Sequence, residues 1–252
     1  MNSLLYQQIF KRKSFHLFRN CGESTISAQE INDILQEFQN FSVLDATIRT
    51  AIRVLPSSET SCKRGQEYCI LLYSEKKPNY LQNIGYIGEQ LDLYLTSRNI
   101  GALWFGIGKT EEVRYDGLDF VIMLAIRKIN DETKFRKDMF KSKRKGLHEI
   151  WDGEVLDGVS ELVRFAPSAC NTQPWFVKRE ENFLKVFRYK KLGKRGIMPA
   201  ARVSFYNRID IGIFLCFLEL CLENMGYSFT RSLHVDEGND DELTLNAEYI
   251  FE

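Results

Sequence analysis

Phe165-Ala166-Pro167-Ser168-Ala169-Cys170-Asn171-Thr172-Gln173-Pro174-Trp175 is the stretch on which the fold turns. It leads from an amphipathic run, Val155 to Phe165, through small residues into strand-like sequence, so backbone there can come close to a flat ligand. Asn171 and Gln173 add primary amides, which offer donors and an acceptor without charge and suit the edge of a heterocycle. The same stretch also reads as an ordinary turn, with Asn171 in local hydrogen bonds and Pro174 ending a helix. On spacing alone the turn is the simpler reading.

Working outward, the segment takes part in a series of internal echoes. Lys11-Arg12-Lys13-Ser14-Phe15-His16-Leu17-Phe18 returns as Lys143-Arg144-Lys145-Gly146-Leu147-His148-Glu149-Ile150. Leu55-Pro56-Ser57-Ser58 returns as Ala166-Pro167-Ser168-Ala169, and Ile87-Gly88 through Asn99-Ile100-Gly101 returns as Ile211-Gly212 through Asn224-Met225-Gly226. Landmarks kept in order imply an old duplication, with halves of about 1–130 and 131–252 in a single compact domain spanning 1–252. A site that normally forms between two identical subunits could then form inside one chain as an intramolecular pseudo-dimer, functional as a monomer, with further association left open.

Composition narrows the function. Lys plus Arg and Asp plus Glu both number 34 in 252 residues, so no overall field attracts nucleic acid or an anionic membrane, and anion recognition has to be local. The six cysteines have no CxxC spacing and no secretory segment precedes them, which predicts reduced thiols, a cytoplasmic location and no metal site. The most apolar stretch, Ile209 to Leu222, contains Asp210 and Glu219 and is too short and too charged for a bilayer; it reads as a buried core helix.

Periodicity predicts helices over Ser3 to Phe10, from Ser27 (announced by the capping box Ser27-Ala28-Gln29-Glu30), over Ala46 to Val54, and over Asn83 to Asn99 with Gly101 as its stop. Further helices are expected over Val155 to Phe165 and near Asn207 to Met225, closing at Gly226. Strands are expected at Tyr68 to Tyr73, Phe120 to Ile126, and as a hairpin of Trp175 to Lys178 and Phe183 to Tyr189. The basic run Lys134 to Lys145 reads as a solvated helical face, with only the Lys143 and Arg144 end given functional weight, and Asp236 to Glu242 reads as a solvated loop. Helices around a modest, mostly antiparallel sheet make an α+β fold.

Pro167-Ser168-Ala169-Cys170-Asn171-Thr172-Gln173-Pro174-Trp175 resembles the P-S-x-x-N-x-Q-P-W signature of the nitroreductase family of flavoenzymes, and Arg12-Lys13-Ser14-Phe15-His16 resembles its R-R-S-x-R. Gly101 to Gly108 is similar, loosely, to its G-x-G-T-x-W-x-G turn, and Lys143 to Leu147 to its later basic segment. Ile209 to Gly226 is similar to the second-half helix of the subgroup with two fused, unequal halves. The resemblance implies a nitroreductase-like fold holding FMN between halves, with NADH or NADPH as donor and a small-molecule electron acceptor, a nitroaromatic or a quinone, reduced by ping-pong hydride transfer. It implies phosphate contacts from Arg12, Lys13, Ser14, His16, Lys143 and Arg144, ring and ribityl contacts from Pro167, Ser168, Ala169, Asn171 and Gln173, and Gly106, Ile107 and Gly108 along the opposite ring face. No catalytic side chain is implied, because the flavin carries the chemistry.

The sequence departs from the pattern at His16, in place of the second arginine, at Gly106, where tryptophan is usual, and at Gly146, where proline is common. Pro56-Ser57-Ser58 lacks a following N-x-Q-P-W, so the mirror site is expected to be dead. The rival reading is a noncatalytic FMN-binding or sensing protein. His148 reads more simply as a packing residue, and Trp104, Trp151 and Trp175 as core or pocket wall.

Overall fold

The Ser27 capping box forms as the sequence requires. The Glu30 backbone N–H donates to Ser27 Oγ at 3.2 Å and the Ser27 N–H to Glu30 Oε2 at 3.0 Å, starting helix α2 (Ala28–Phe38). The computed structural model describes residues 2–190, 195–236 and 242–251. Helix α1 (Asn2–Lys11) precedes α2, and strands β1 (Thr50–Pro56) and β2 (Tyr68–Ser74) follow it. Helix α3 (Tyr80–Ser97) leads to β3 (Ile100–Phe105), β4 (Arg114–Tyr115) and β5 (Leu118–Lys128). The second half runs α4 (Leu147–Ile150), β6 (Trp151–Asp152), α5 (Ser160–Val163), the hairpin β7 (Trp175–Glu180) and β8 (Phe183–Tyr189), α6 (Ala200–Asn224), β9 (Phe229–Leu233) and β10 (Leu243–Phe251).

The architecture is α+β, with one sheet per half. The first has the order β1-β2-β5-β3 with β4 on β5, and the second the order β6-β7-β8-β10-β9. Pairings between the named strands are antiparallel except that of β6 with β7. Removing β4 and β6 leaves one connectivity used twice, with α3 and α6 each placed between the second and third strands of its unit. The two helices meet at glycines in the middle of the molecule. A Cβ on Gly85 would lie 2.0 Å from the Ile209 carbonyl oxygen, and one on Gly212 would lie 1.9 Å from that of Gln82, so each glycine admits the other helix's backbone. Trp175 lies fully buried against Phe214 of α6, and Trp151 is buried nearby, both as core.

Side-chain contacts repeat as well. Asn83 of α3 accepts the Leu44 N–H at 2.8 Å, and Asp210 of α6 accepts the Ala169 N–H at 2.9 Å. Trp104 of β3 donates to Asp92 of α3 at 3.1 Å, and Arg231 of β9 donates to Glu219 of α6 at 2.5 Å. Asn83 and Asp210, Gly85 and Gly212, Asp92 and Glu219, and Trp104 and Arg231 are each the same number of residues apart. This register corrects the expected landmarks: Gly212 corresponds to Gly85 rather than Gly88, and Pro167 to Trp175 corresponds to the residues before β1, around Leu44. Pro56 ends β1 and Ser57-Ser58 follow it, and the two basic triplets sit differently, one at the end of α1 and one ahead of α4.

Other expectations change too. Ala46 to Val54 does not form a helix: Thr50, Ile52 and Val54 are β-branched and pair with β2, Ile52 opposite Leu72. Helix over Val155 to Phe165 shrinks to α5 because Gly158 adopts φ +69° just before it. Asn99, at φ 56°, makes the left-handed stop after α3, while Gly101 lies inside β3, where a Cβ would press on the Phe15 ring. The basic run carries two 3-10 turns, Glu132–Lys134 and Met139–Lys141, rather than a helix face. Helix α6 begins at Ala200, ahead of the expected Asn207. Of the acidic stretch, 237–241 lies outside the described residues; Asp236 is buried and takes two hydrogen bonds from Arg188 at 2.6 and 2.8 Å, so it is not a solvated loop position.

Candidate functional site

A cavity of about 590 Å³ opens at the seam between the halves. The first half contributes the chain leaving α1, the outer end of β3 and the turn beyond it; the second contributes Arg136, Arg144, the turn before β7 and one side of α6. Arg12, Lys13, Ser14, His16, Gly106, Ile107, Arg144, Pro167, Ser168, Ala169 and Asn171 all line it, so the structure brings these sequence-selected residues together. Lys143, Gly108 and Gln173 are not on its wall. Gln173 is buried, accepting the Lys145 N–H at 2.8 Å and donating to the Asn171 carbonyl at 3.3 Å, and Gly108 packs under Met123. His148 also lies off the wall, folded over Gly146, whereas Trp104 lies on it.

Arg12 is buried at the end of α1, and its Nε and Nη2 donate to Asp92 Oδ2 at 2.9 and 2.8 Å. Burial pulls its pKa down, but Asp92 and Glu89 outweigh that and leave it raised. Glu89 is fully buried with both carboxylate oxygens lacking hydrogen-bond partners, and burial lifts its pKa well above the usual range despite Arg12. The Arg12 charge is therefore committed to Asp92 beneath the cavity. Lys13 reaches the Lys134 carbonyl at 2.8 Å.

The less committed cations are Arg136, Arg144 and Arg64, the last standing 5.8 Å from the Phe105 ring centroid. Arg136 reaches the wall because its backbone N–H donates to the Lys11 carbonyl at 3.0 Å, and its guanidinium has no hydrogen-bond or ion-pair partner among the described residues. Arg144 donates to Asn171 Oδ1 at 2.9 Å and to the carbonyls of Lys143 and Phe165, but its Nε is buried without a partner. Burial, then repulsion from Arg12, lowers the Arg136 pKa to about 10; burial, then Arg136 and Arg12, does the same to Arg144. Both stay charged at neutral pH, so the wall holds cations that an anion would relieve.

Opposite them, the turn before β7 is strongly bent. Cys170, Asn171 and Gln173 all have positive φ, held by the Gln173 N–H to Ser168 Oγ at 3.0 Å and by Asn171 Nδ2 to the Lys143 carbonyl at 3.2 Å. Both ends of the Asn171 amide thus have protein partners. Asp210 pins the turn through Ala169 and faces the cavity; burial pushes its pKa up to about 8, partly offset by the Ala169 amide and the Thr172 hydroxyl. Tyr206 closes one side, donating to the Gly106 carbonyl at 2.7 Å with its ring where a Cβ on Gly106 would stand. That packing gives the glycine at 106 a reason.

Arg136, Asp210, Arg64 and Tyr206 were not selected as site residues from sequence. Asp210 was the most legible of them, being an acid inside an apolar helix. Arg136 looks like its lysine neighbours until α1 packs against it.

A two-sheet α+β chain with a cation-walled cavity at the seam between its halves is the class these features define. The chain belongs to the family described as "Putative TM nitroreductase", whose model matches residues 4–222, and it has the nitroreductase-like fold. A "putative nitroreductase" from Thermotoga maritima MSB8 is 17% identical, with 98% of this chain and 93% of that one covered and a TM-score of 0.60. One from Desulfovibrio desulfuricans, solved in complex with FMN, is also 17% identical, with 60% and 97% covered and a TM-score of 0.43. A nitroreductase family protein from Clostridium difficile 630 is 13% identical, with 62% and 100% covered and a TM-score of 0.46. No curated protein matches the chain. No helix among the described residues is long and apolar enough to cross a membrane.

Proposed function

We propose that this nitroreductase-family chain is an FMN-dependent NAD(P)H oxidoreductase that reduces a small nitroaromatic or quinone by a ping-pong route, and that its halves act as an intramolecular pseudo-dimer. The observation that carries this reading is the meeting, in one cavity, of Arg136 and Arg144 with the Pro167 to Asn171 turn. FMN fits the residues present. The buried Arg144 Nε and the guanidinium of Arg136 are the donors a phosphate satisfies, and Trp104, Ile122, Ile209 and Ile213 offer apolar walls to a ring. Bound FMN supplies a carrier that takes a hydride from the nicotinamide and passes it to the acceptor.

The protein's own part is to bind, orient and exclude water. Arg136 and Arg144 fix the anionic end, the turn before β7 presents backbone to the ring, and Tyr206 with Met198 shields the α6 side. The cavity wall then sets one open face for donor and acceptor in turn. FMN is preferred over FAD because the cations are clustered for one terminal phosphate and the chain has no Gly-rich dinucleotide fingerprint. The test is to record the visible spectrum of the purified protein, release the cofactor by denaturation and identify it by chromatography. FMN is expected, together with NAD(P)H oxidation when a quinone is supplied. FAD, or no flavin after incubation with excess FMN, refutes the assignment, and bound FMN without turnover selects the binding or sensing role.

A further inference from the structure

Among the described residues on the cavity wall, Asp210 is the one carboxylic acid. It is 3% exposed; its Oδ1 accepts the Ala169 N–H at 2.9 Å, while Oδ2 has only a long contact, 3.4 Å, with the Thr172 hydroxyl. The repeated architecture supplies an internal control for what this residue does. Asn83 stands two residues before Gly85 as Asp210 stands two before Gly212, and it accepts the N–H groups of Leu44 at 2.8 Å and Asp45 at 3.2 Å. Pinning the turn that precedes the first strand of each unit therefore takes an oxygen acceptor and no charge. Where the seam is filled, a neutral amide does it. Where the seam is open, an acid does it, and a buried acid is costly unless it is kept neutral or paired. The structural task leaves the acidity of residue 210 unexplained, and the cavity beside it offers the reason.

We propose that Asp210 is the proton donor to the molecule reduced in this cavity, an assignment that rests on the oxidoreductase reading above. A quinone that receives a hydride equivalent, two electrons and one hydrogen originating in NAD(P)H, still needs one proton to become a hydroquinone. The Asp210 O–H bond breaks, its electron pair stays on the carboxylate, and the proton forms the new O–H bond on the negatively charged acceptor oxygen. One proton from bulk solvent, carried in by water at the cavity mouth, then restores the carboxylic acid, so that the net reaction consumes NAD(P)H, the quinone and one proton. Burial holds the proton on Asp210 at neutral pH, with its pKa at about 8. The cations facing the same volume are Arg12, Lys13, Arg64, Arg136 and Arg144, and none of them hydrogen-bonds Asp210. His16, Cys170 and Tyr206 complete the titratable wall; Tyr206 gives its proton to the Gly106 carbonyl instead.

Asp210→Asn is the decisive variant, because it installs the residue that already performs the structural task at position 83. Two measurements are made. In the flavin-free protein, infrared difference spectroscopy between mildly acidic and alkaline pH reads a protonated carboxyl band that titrates near pH 8; it is expected in the wild type and absent from Asp210→Asn. In the FMN-loaded protein, reduced anaerobically with NADH and mixed with benzoquinone, the wild-type acceptor step is expected to slow as pH rises through about 8. Asp210→Asn should be about a hundredfold slower with that pH limb gone, as loss of a general acid predicts, while FMN affinity and the NADH step are unchanged. Thermal stability gives a sign check. A folded pKa above the ordinary carboxylate range means that wild-type stability is full in acid and declines as pH climbs toward about 8, so Asp210→Asn gains on the wild type over that rise. A variant that keeps the wild-type rate and pH profile overturns the assignment, as does one that loses FMN, which would make Asp210 a binding residue. A wild-type protein that binds no FMN removes the oxidoreductase reading and this assignment together; bound, reducible FMN with an unaltered variant removes this assignment alone.

Discussion

The seam beside α6 opens a cavity of about 590 Å³, whereas around Ser42, Tyr86 and Glu219, where the second seam passes, the space is only about 10 Å³. The same connectivity builds both, so the difference lies in side chains. At the filled seam Tyr86 stands where the open seam has Ile213, and Arg231 stands where it has Trp104. Tyr86, Tyr249 and Arg231 all donate to Glu219, at 2.7, 2.7 and 2.5 Å, and Arg231 also reaches the Leu44 carbonyl at 3.2 Å. The protein's own guanidinium thus occupies the turn that corresponds to the Pro167 segment. At the open seam Arg136 lines the cavity, and its guanidinium has no hydrogen-bond or ion-pair partner among the described residues, feeling Asp92 and Glu89 only through longer-range attraction. Two packed halves can hold together through one self-satisfied seam, which frees the other to keep unsatisfied donors for a ligand.

The largest effect should come from breaking what both seams share. Gly212→Ala places a Cβ 1.9 Å from the Gln82 carbonyl oxygen and 2.7 Å from the Tyr86 nitrogen, backbone atoms that cannot rotate away. The expected destabilisation exceeds the roughly 1–3 kcal/mol of ordinary overpacking, and a denaturant midpoint or loss of soluble expression would register it. Gly226→Ala is the control: φ is +78° but nothing lies within 4 Å, so only about 1 kcal/mol of left-handed strain applies. Equal losses would show that the helices do not meet as described.

Next comes the filled seam alone. Arg231→Met removes a partner of the buried Glu219 carboxylate and should cost about 3 kcal/mol, measured by urea unfolding, while FMN titration of the open cavity stays unchanged. The open seam should respond in the opposite sense. Arg136→Ala is expected to weaken FMN about tenfold to a hundredfold, the loss of one charge-assisted contact worth roughly 1.5–3 kcal/mol, with stability unchanged or improved because Arg136 repels Arg12 and Arg144. Lys137→Ala, on an exposed neighbour, should do neither. Arg12→Ala would mislead as a ligand probe, since it strands Asp92 and Glu89 in the interior and unfolds the protein before it reports on phosphate. If Arg136→Ala left affinity intact and Arg231→Met reduced it, the open and filled seams would be exchanged.

Much of this contrast was legible in the chain and some of it was not. Strong local signals carried through: the Ser27 capping box, the apolar run of β2, the hairpin of β7 and β8, and the long apolar helix with its stop at Gly226. Of the stretch that carries the family resemblance, Pro167 to Asn171 line the cavity, while Gln173 and Trp175 lie off its wall. What failed was set by contacts between distant segments. Thr50 to Pro56 has helix-compatible spacing and becomes a strand only because β2 lies alongside; β9 and β10 went unassigned and pair with each other and with β8. Arg136 reaches the cavity where Lys134 and Lys137 do not, because its backbone is tied to the end of α1, a contact between distant segments. The duplication signal misled in detail because short echoes such as Pro-Ser recur by chance, whereas the hydrogen bonds of Asn83 and Asp210 mark positions that the fold repeats.

That distinction can be tested with one serine from each of the two echoing segments, Ser168 from Pro167-Ser168-Ala169 and Ser58 from Pro56-Ser57-Ser58. Ser168 accepts the Gln173 N–H at 3.0 Å and so helps hold three positive-φ residues of the turn in place. Ser58 sits in the 3-10 turn Ser57–Glu59 beyond β1, away from both seams, with no side-chain hydrogen bond among the described residues. Ser168→Ala should therefore cost about 1 kcal/mol and loosen FMN a few-fold as the turn relaxes, whereas Ser58→Ala should leave unfolding and titration curves superimposable on the wild type. Comparable effects would restore Pro56-Ser57-Ser58 as the counterpart of the Pro167 turn and undo the register drawn through Leu44 and Ala169. The expected asymmetry, small as it is, separates resemblance between residues from equivalence of position: the segments that correspond are the two pinned to α3 and α6 by a side-chain oxygen, at Leu44 and Ala169.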